Sequence, residues 1–285
     1  MSELGVSRIL ENQERTNGAG VLVNRAFGVG TERLTDPFLL LDEICSKKPK
    51  EYIAGFPLHP HRGIETITYM LQGFFRFSDS LGNSGILESG GLLWLCAGSG
   101  IIHEEMPLES SFLHGFQLWI NTPKSEKGRD PFCHVILPDD VPRVPVGSGT
   151  VKILSGAFGG VCGPLTGISG DPLLLDISLN EKDHLELTIP YGNTVILHIY
   201  QGCLLEPEHV QVGLDARKPV RTCLLLGNGD HLRCTAGKSG LGMVLAAAKP
   251  IGEPMAWKGG IVMCTQDEVD QAYKEFSNGT FVKVR

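Results

Sequence analysis

The chain is expected to be all-β, folded as sandwiches or barrels in two domains. Three observations carry that expectation. Glycine (36) and proline (17) are spread along the whole chain and cut it into many short runs. Those runs are rich in Val, Ile, Leu, Thr and Phe, the residue types that pack well on a pleated surface. Only one stretch combines helical spacing with helix-capping residues. A length of 285 residues with 42% hydrophobic content is enough for two ordinary cores and carries no disorder signature.

In chain order, strands are expected at Ile64–Leu71, Gly91–Cys96 and Gly115–Ile120. The stretch from Pro138 to Gly149 is proline-rich, polar and aperiodic, and reads as a linker. Beyond it, strands are expected at Leu173–Leu179, Thr194–Tyr200, Thr222–Leu226 and Gly242–Ala248. The helix is expected over 265–277. Thr265 and Glu268 form a capping box, in which hydroxyl and carboxylate satisfy backbone donors reciprocally. Val269, Ala272, Tyr273 and Phe276 follow at helical spacing, and Gly279 supplies a stop. The expected domains are therefore 1–138 and 149–285, with the helix in the second.

A repeat supports duplication. Thr68–Gly73 resembles Leu197–Gly202, and Cys96–Gly100 resembles Cys234–Gly240, in the same order and on either side of the linker.

Charge narrows the function. Acidic residues outnumber basic ones, 32 to 25, and both halves share the excess. Phosphate backbones and anionic lipids attract basic surfaces, so neither direct nucleic-acid binding nor membrane binding is expected. No apolar run approaches the roughly 20 residues needed to span a bilayer. The N-terminus has neither a basic n-region nor a hydrophobic h-region, so a cytoplasmic, non-secreted protein is expected. The eight cysteines are scattered through apolar surroundings without a C-x-x-C pair, and reduced thiols are expected.

The chemistry concentrates in the first half. His59 and His61 are two residues apart, as are His103 and Glu105. Residues i and i+2 of a strand share a face, so neighbouring strands would bring three imidazoles and a carboxylate to one point. That donor set suits Fe(II), Mn, Ni, Cu or Zn, and would leave an octahedral ion two open positions. The repeat places Thr188 and Pro190 where His59 and His61 stand, so one copy is expected to hold a metal and the other none. Glu65, four residues beyond His61, would lie on the same side of a continuous strand and compete with Glu105. Glu105 is preferred because His103 is its i+2 partner, leaving Glu65 to orient a ligand from behind. Gln117 and Trp119 share one face of a strand, and Gln117 either enters the pocket or makes a structural hydrogen bond. His134, His184, His198, His209 and His231 lack partners at metal spacing. No P-loop, dinucleotide fingerprint or nucleophile elbow is present.

These stretches resemble the pirin family of the cupin superfamily. The resemblance runs through Asp36–Glu43, Phe56–Thr66, Ala97–Pro107, His114–Asn121 and Ser125–Lys127, and only in outline through the second half. It implies two cupin-type β-barrels with few short helices, and one metal, usually Fe(II), in the N-terminal barrel. His59, His61, His103 and Glu105 fall on the family's ligand positions. Glu104 replaces a common Ala and Ser99 a common Arg, changes expected at the pocket rim. Some family members resemble quercetin 2,3-dioxygenases, which open a flavonol with dioxygen and release carbon monoxide; Glu105 would then receive the substrate's hydroxyl proton. Others are nuclear transcription co-regulators with an iron-dependent partner surface. The resemblance thus implies a metal-dependent dioxygenase taking a flavonol-like substrate and O2. The alternative is a non-catalytic iron-dependent co-regulator with a protein partner, found in the nucleus as well as the cytoplasm.

Overall fold

The fold is that of a computed structural model, which describes residues 2–206 and 221–283. Strands dominate, and the chain divides into two compact units. One contains residues 14–29, 38–140 and 251–285; the other contains 1–13, 30–37 and 141–250.

The first unit is built from two sheets. The larger contains β1 (Gln13–Asn17), β2 (Val21–Phe27), β3 (Phe38–Ser46), β5 (Ile64–Gln72), β8 (Leu92–Cys96), β10 (Leu113–Asn121) and β11 (Phe132–Ile136), in the order β11-β8-β5-β10-β3-β2-β1. The smaller contains β4 (Phe56–His61), β6 (Phe75–Asp79), β7 (Ser84–Leu87) and β9 (Ile101–Pro107), in the order β4-β9-β6-β7. β4 holds two prolines, which offer no N–H to a ladder, and accordingly lies at a sheet edge. Val23, Tyr52, Met70, Phe75, Leu93 and Leu113 fill one apolar cluster, and Leu39, Ile64, Leu95, Ile101 and Val262 another.

The second unit is built on an eight-stranded sheet, with a small two-stranded sheet in which Ala157–Phe158 pairs with Val161–Cys162. Its central strands are β12 (Gly149–Ser155), β13 (Leu173–Leu179), β14 (Thr194–Glu206), β15 (Thr222–Leu226) and β16 (His231–Ala248), with β16 paired to both β13 and β14. Ile153, Leu175, Ile177, Leu197, Leu224 and Leu245 are among its buried residues. The repeat has a backbone counterpart. Gly73 ends its strand with φ +97°, and Gly202 sits at a register shift within β14 with φ +68°. Both positions need the left-handed region that glycine enters without penalty.

The compact units and the expected division differ at three points. The proposed division at 1–138 and 149–285 describes the middle of each unit but not its ends. Val6–Leu10 pairs antiparallel with β15, which places the N-terminal strand in the second unit. The C-terminal residues 251–285 belong instead to the first unit. Finally, the linker is partly structured, because Arg143–Val146 forms a hairpin with β12.

The C-terminal residues form β17 (Ala256–Lys258), β18 (Ile261–Met263) and α1 (Gln266–Ser277). The capping box at Thr265 and Glu268 is present as expected. Val269 and Ala272 are buried with Ile261 and Phe281, whereas Phe276 is 38% exposed and meets the Phe281 ring edge-on. Arg62 anchors this segment: it forms an ion pair with Glu275 (2.8 Å), donates to the Phe281 carbonyl (2.9 Å) and stacks on the Phe281 ring. None of the eight cysteines is disulfide-bonded. Among the described residues, no helix is long and apolar enough to cross a membrane.

Candidate metal centre

β4 and β9 run antiparallel with His59 opposite His103 and His61 opposite Ile101. Alternation puts His59 and His61 on one face, and the register puts His103 on the same face. The three rings meet, with centroids 4.4–4.9 Å apart. Their ligand atoms all lie within 4.8 Å of one another.

The proton positions follow from the hydrogen bonds. His59 Nδ1 lies 2.9 Å from the Pro57 carbonyl and His61 Nδ1 lies 3.0 Å from the Gly260 carbonyl. A carbonyl can only accept, so each Nδ1 carries the proton and each Nε2 presents a lone pair. Those two Nε2 atoms are 3.0 Å apart. His103 Nε2 is buried without a hydrogen-bond partner. All three imidazoles are held neutral. Burial lowers His59, burial and neighbouring His59 push His61 down to about 3, and burial with both neighbours holds His103 well below the usual range. Converging lone pairs in a buried site are an arrangement that a cation relieves, so these residues fit a transition metal.

Glu105 is two residues beyond His103 and fully buried, but it is not part of the tight group of three. The β4–β9 pairing shifts register between His103 and Glu105. The carboxylate reaches instead toward strands of the larger sheet. One oxygen accepts from Thr68 Oγ1 (2.7 Å) and the other from Gln117 Nε2 (2.5 Å). Burial raises its pKa, against the pull of these two bonds. Gln117 in turn accepts from Trp119 Nε1 (3.0 Å), which fixes the direction of its amide. Gln117 thus bonds both Glu105 and Trp119, and it also lines the cavity beside His59 and His61.

Glu65 is elsewhere. β4 ends at His61 and β5 begins at Ile64, with Gly63 between them at φ +72°. The alternation therefore restarts, and Glu65 faces away from Thr68. It accepts from Trp94 Nε1 (2.6 Å) and forms an ion pair with Arg129. Glu104 accepts from Ser78.

A cavity of about 520 Å³ opens beside His59 and His61, a size suited to a small organic ligand. Leu40, Phe56, Trp119 and Trp257 give it apolar walls, and Arg25, paired bidentately with Asp42, lies at its edge. Trp257 and Gly260 could not be assigned to the site from sequence, since His61 and Gly260 are 199 positions apart. A Cβ on Gly260 would sit against the Pro60 carbonyl and 2.6 Å from His61 Nδ1, so a bare backbone is what allows this approach.

Comparison with known proteins finds relatives over nearly the whole chain. The pirin family model matches residues 20–120, and the pirin C-terminal cupin domain matches residues 174–282. A pirin-like protein of Caulobacter vibrioides is 37% identical over 97% of this chain and 98% of its own length. The pirin of Rattus norvegicus is 33% identical, covering 94% of this chain and 90% of its own. Among solved structures, a quercetin 2,3-dioxygenase of Acinetobacter baumannii superposes with a TM-score of 0.87 at 25% identity, covering 98% of this chain and 99% of that one.

Proposed function

Because the chain belongs to the pirin family, we propose that it is a metal-dependent dioxygenase that cleaves a flavonol-like substrate with O2, in the manner of quercetin 2,3-dioxygenase. One observation carries this reading: three neutral imidazoles, His61 and His103 buried and His59 half-buried, converge at the wall of an aromatic-lined cavity. His59, His61 and His103 would hold the ion through Nε2, with Glu105 as the fourth ligand. A divalent transition metal there, Fe(II) foremost, supplies Lewis acidity toward a substrate oxygen and the redox capacity that reaction with dioxygen requires.

The protein's own groups do the rest. Phe56, Trp119 and Trp257 offer faces against which flat aromatic rings pack while water is excluded. Glu105 is the candidate base for the substrate hydroxyl proton. Its burial raises its affinity for that proton, and Thr68 and Gln117 hold both oxygens in place. The likeness to the Acinetobacter baumannii enzyme supports the substrate class.

The test is turnover by purified protein loaded anaerobically with Fe(II). Addition of quercetin and oxygen should release carbon monoxide, and His59→Ala should abolish the release. Protein that binds iron tightly yet consumes neither oxygen nor any flavonol would refute the enzyme and favour the iron-dependent co-regulator.

A further inference from the structure

A second group of ligating side chains lies on the opposite face of the same sheet. β3 and β10 pair with Cys45 opposite His114 and Glu43 opposite Phe116, so Glu43, Cys45 and His114 share a face. Gln117 pairs with Asp42 on the other face, where Gln117 serves Glu105. The sheet therefore separates this group from the three histidines.

From this group we infer a second metal site, for a zinc-like divalent ion, formed by Glu43 carboxylate, Cys45 thiolate and His114 imidazole. One ligand atom from each residue lies within 4.8 Å of the others. Glu43 is almost completely buried and His114 is buried. The Glu43 carboxylate takes a 2.8 Å bond with His114 Nε2 and a long 3.4 Å bond from Asn24. The His114 ring is flanked by Phe112 and Phe116, with centroids 5.6 and 5.4 Å away, which limits its rotation. Cys45 is partly exposed and gives an ion a way in.

The donor chemistry sets the class of ion. A thiolate beside an imidazole selects zinc, cobalt or copper over magnesium and calcium, and three protein ligands leave a fourth position for water. The thiol gives up its proton as the ion binds, so uptake weakens as pH falls. A histidine–carboxylate hydrogen bond alone would need only Glu43 and His114. The sulfur brought to the same point by strand register is what points to a metal.

Cobalt(II) is the probe, because a cobalt–thiolate bond has a near-ultraviolet charge-transfer band that histidine and carboxylate ligation lacks. Metal-free protein titrated with Co(II) should take up one equivalent beyond the histidine site and develop this band. Cys45→Ser should lose the band and that equivalent alone. His59→Ala should lose the other equivalent and keep the band. Stoichiometric Zn(II) should also slow alkylation of Cys45 in the unmutated protein, a readout that needs no variant to fold. Absence of the band at saturating Co(II), its persistence in Cys45→Ser, or alkylation indifferent to Zn(II) would overturn the proposal.

Discussion

Gly260→Ala is a sharp test of how the histidine site is supported, because the substitution adds a single methyl group outside the proposed ligand set. That methyl would stand 2.6 Å from His61 Nδ1 and press on the Pro60 carbonyl. Neither neighbour is the free end of a flexible side chain. Pro60 lies in a paired strand between two proposed ligands, and His61 is packed edge-on against Trp119 at 4.8 Å between centroids. The turn carrying Gly260 must therefore retreat, and the Nδ1–carbonyl bond lengthens or breaks. Loss of an outer partner of a metal-bound histidine costs about 10- to 100-fold in metal affinity, equivalent to roughly 1.4–2.8 kcal/mol. Chelator competition with Fe(II) or Co(II) measures this directly, and urea unfolding of the metal-free protein separates it from overall destabilisation. Affinity within about twofold of the unmutated protein would refute the claim that the Gly260 carbonyl orients His61.

Three further outcomes are expected. Gln117→Leu removes one of the two donors to the Glu105 carboxylate, so its proton affinity rises and the acid limb of the pH–rate profile moves to higher pH; an unmoved limb would contradict a role for Glu105 in proton transfer. Lys127→Met deprives the Gly63 carbonyl, Asn121 Oδ1 and the Val262 carbonyl of their common buried donor, at a cost of about 3 kcal/mol or more, to be read from urea unfolding. Glu275 is held down to about 2: burial opposes this, but hydrogen bonds from Lys283, Gln271 and Arg62 outweigh it. A depressed carboxyl contributes stability that is complete above its unfolded pKa and is lost as pH falls through the folded one. Stability should therefore decline between about pH 4.3 and pH 2, and Glu275→Gln should flatten that decline in denaturant midpoints measured across the range.

Much of the histidine site was legible because it depends on short-range alternation. His59 and His61 share a face by spacing alone, and strand pairing brings His103 to meet them. Glu65 was misplaced by the same rule, applied across Gly63, where the left-handed backbone breaks the strand and resets which side each residue faces. Glu105 shows a subtler limit. Spacing gives its face, but the register shift that turns it toward Thr68 and Gln117 arises only in the paired strands. The ends of the units were hidden for a related reason. Val6–Leu10 has no local feature naming β15 as its partner, and nothing near Gly260 in sequence indicates that its carbonyl meets His61. The grouping of Glu43, Cys45 and His114 likewise needed the pairing of β3 with β10, since His114 has no i+2 ligand of its own.

The carbonyl beneath His61 also sets an order of events during synthesis. Residues are made from the N-terminus, so the three histidines emerge from the ribosome long before residue 260 does. Until the last part of the chain is released, His61 lacks the backbone acceptor that holds its ring, and the cavity lacks the Trp257 wall. A chain stopped before Trp257 would therefore present the three histidines without that acceptor and without that wall.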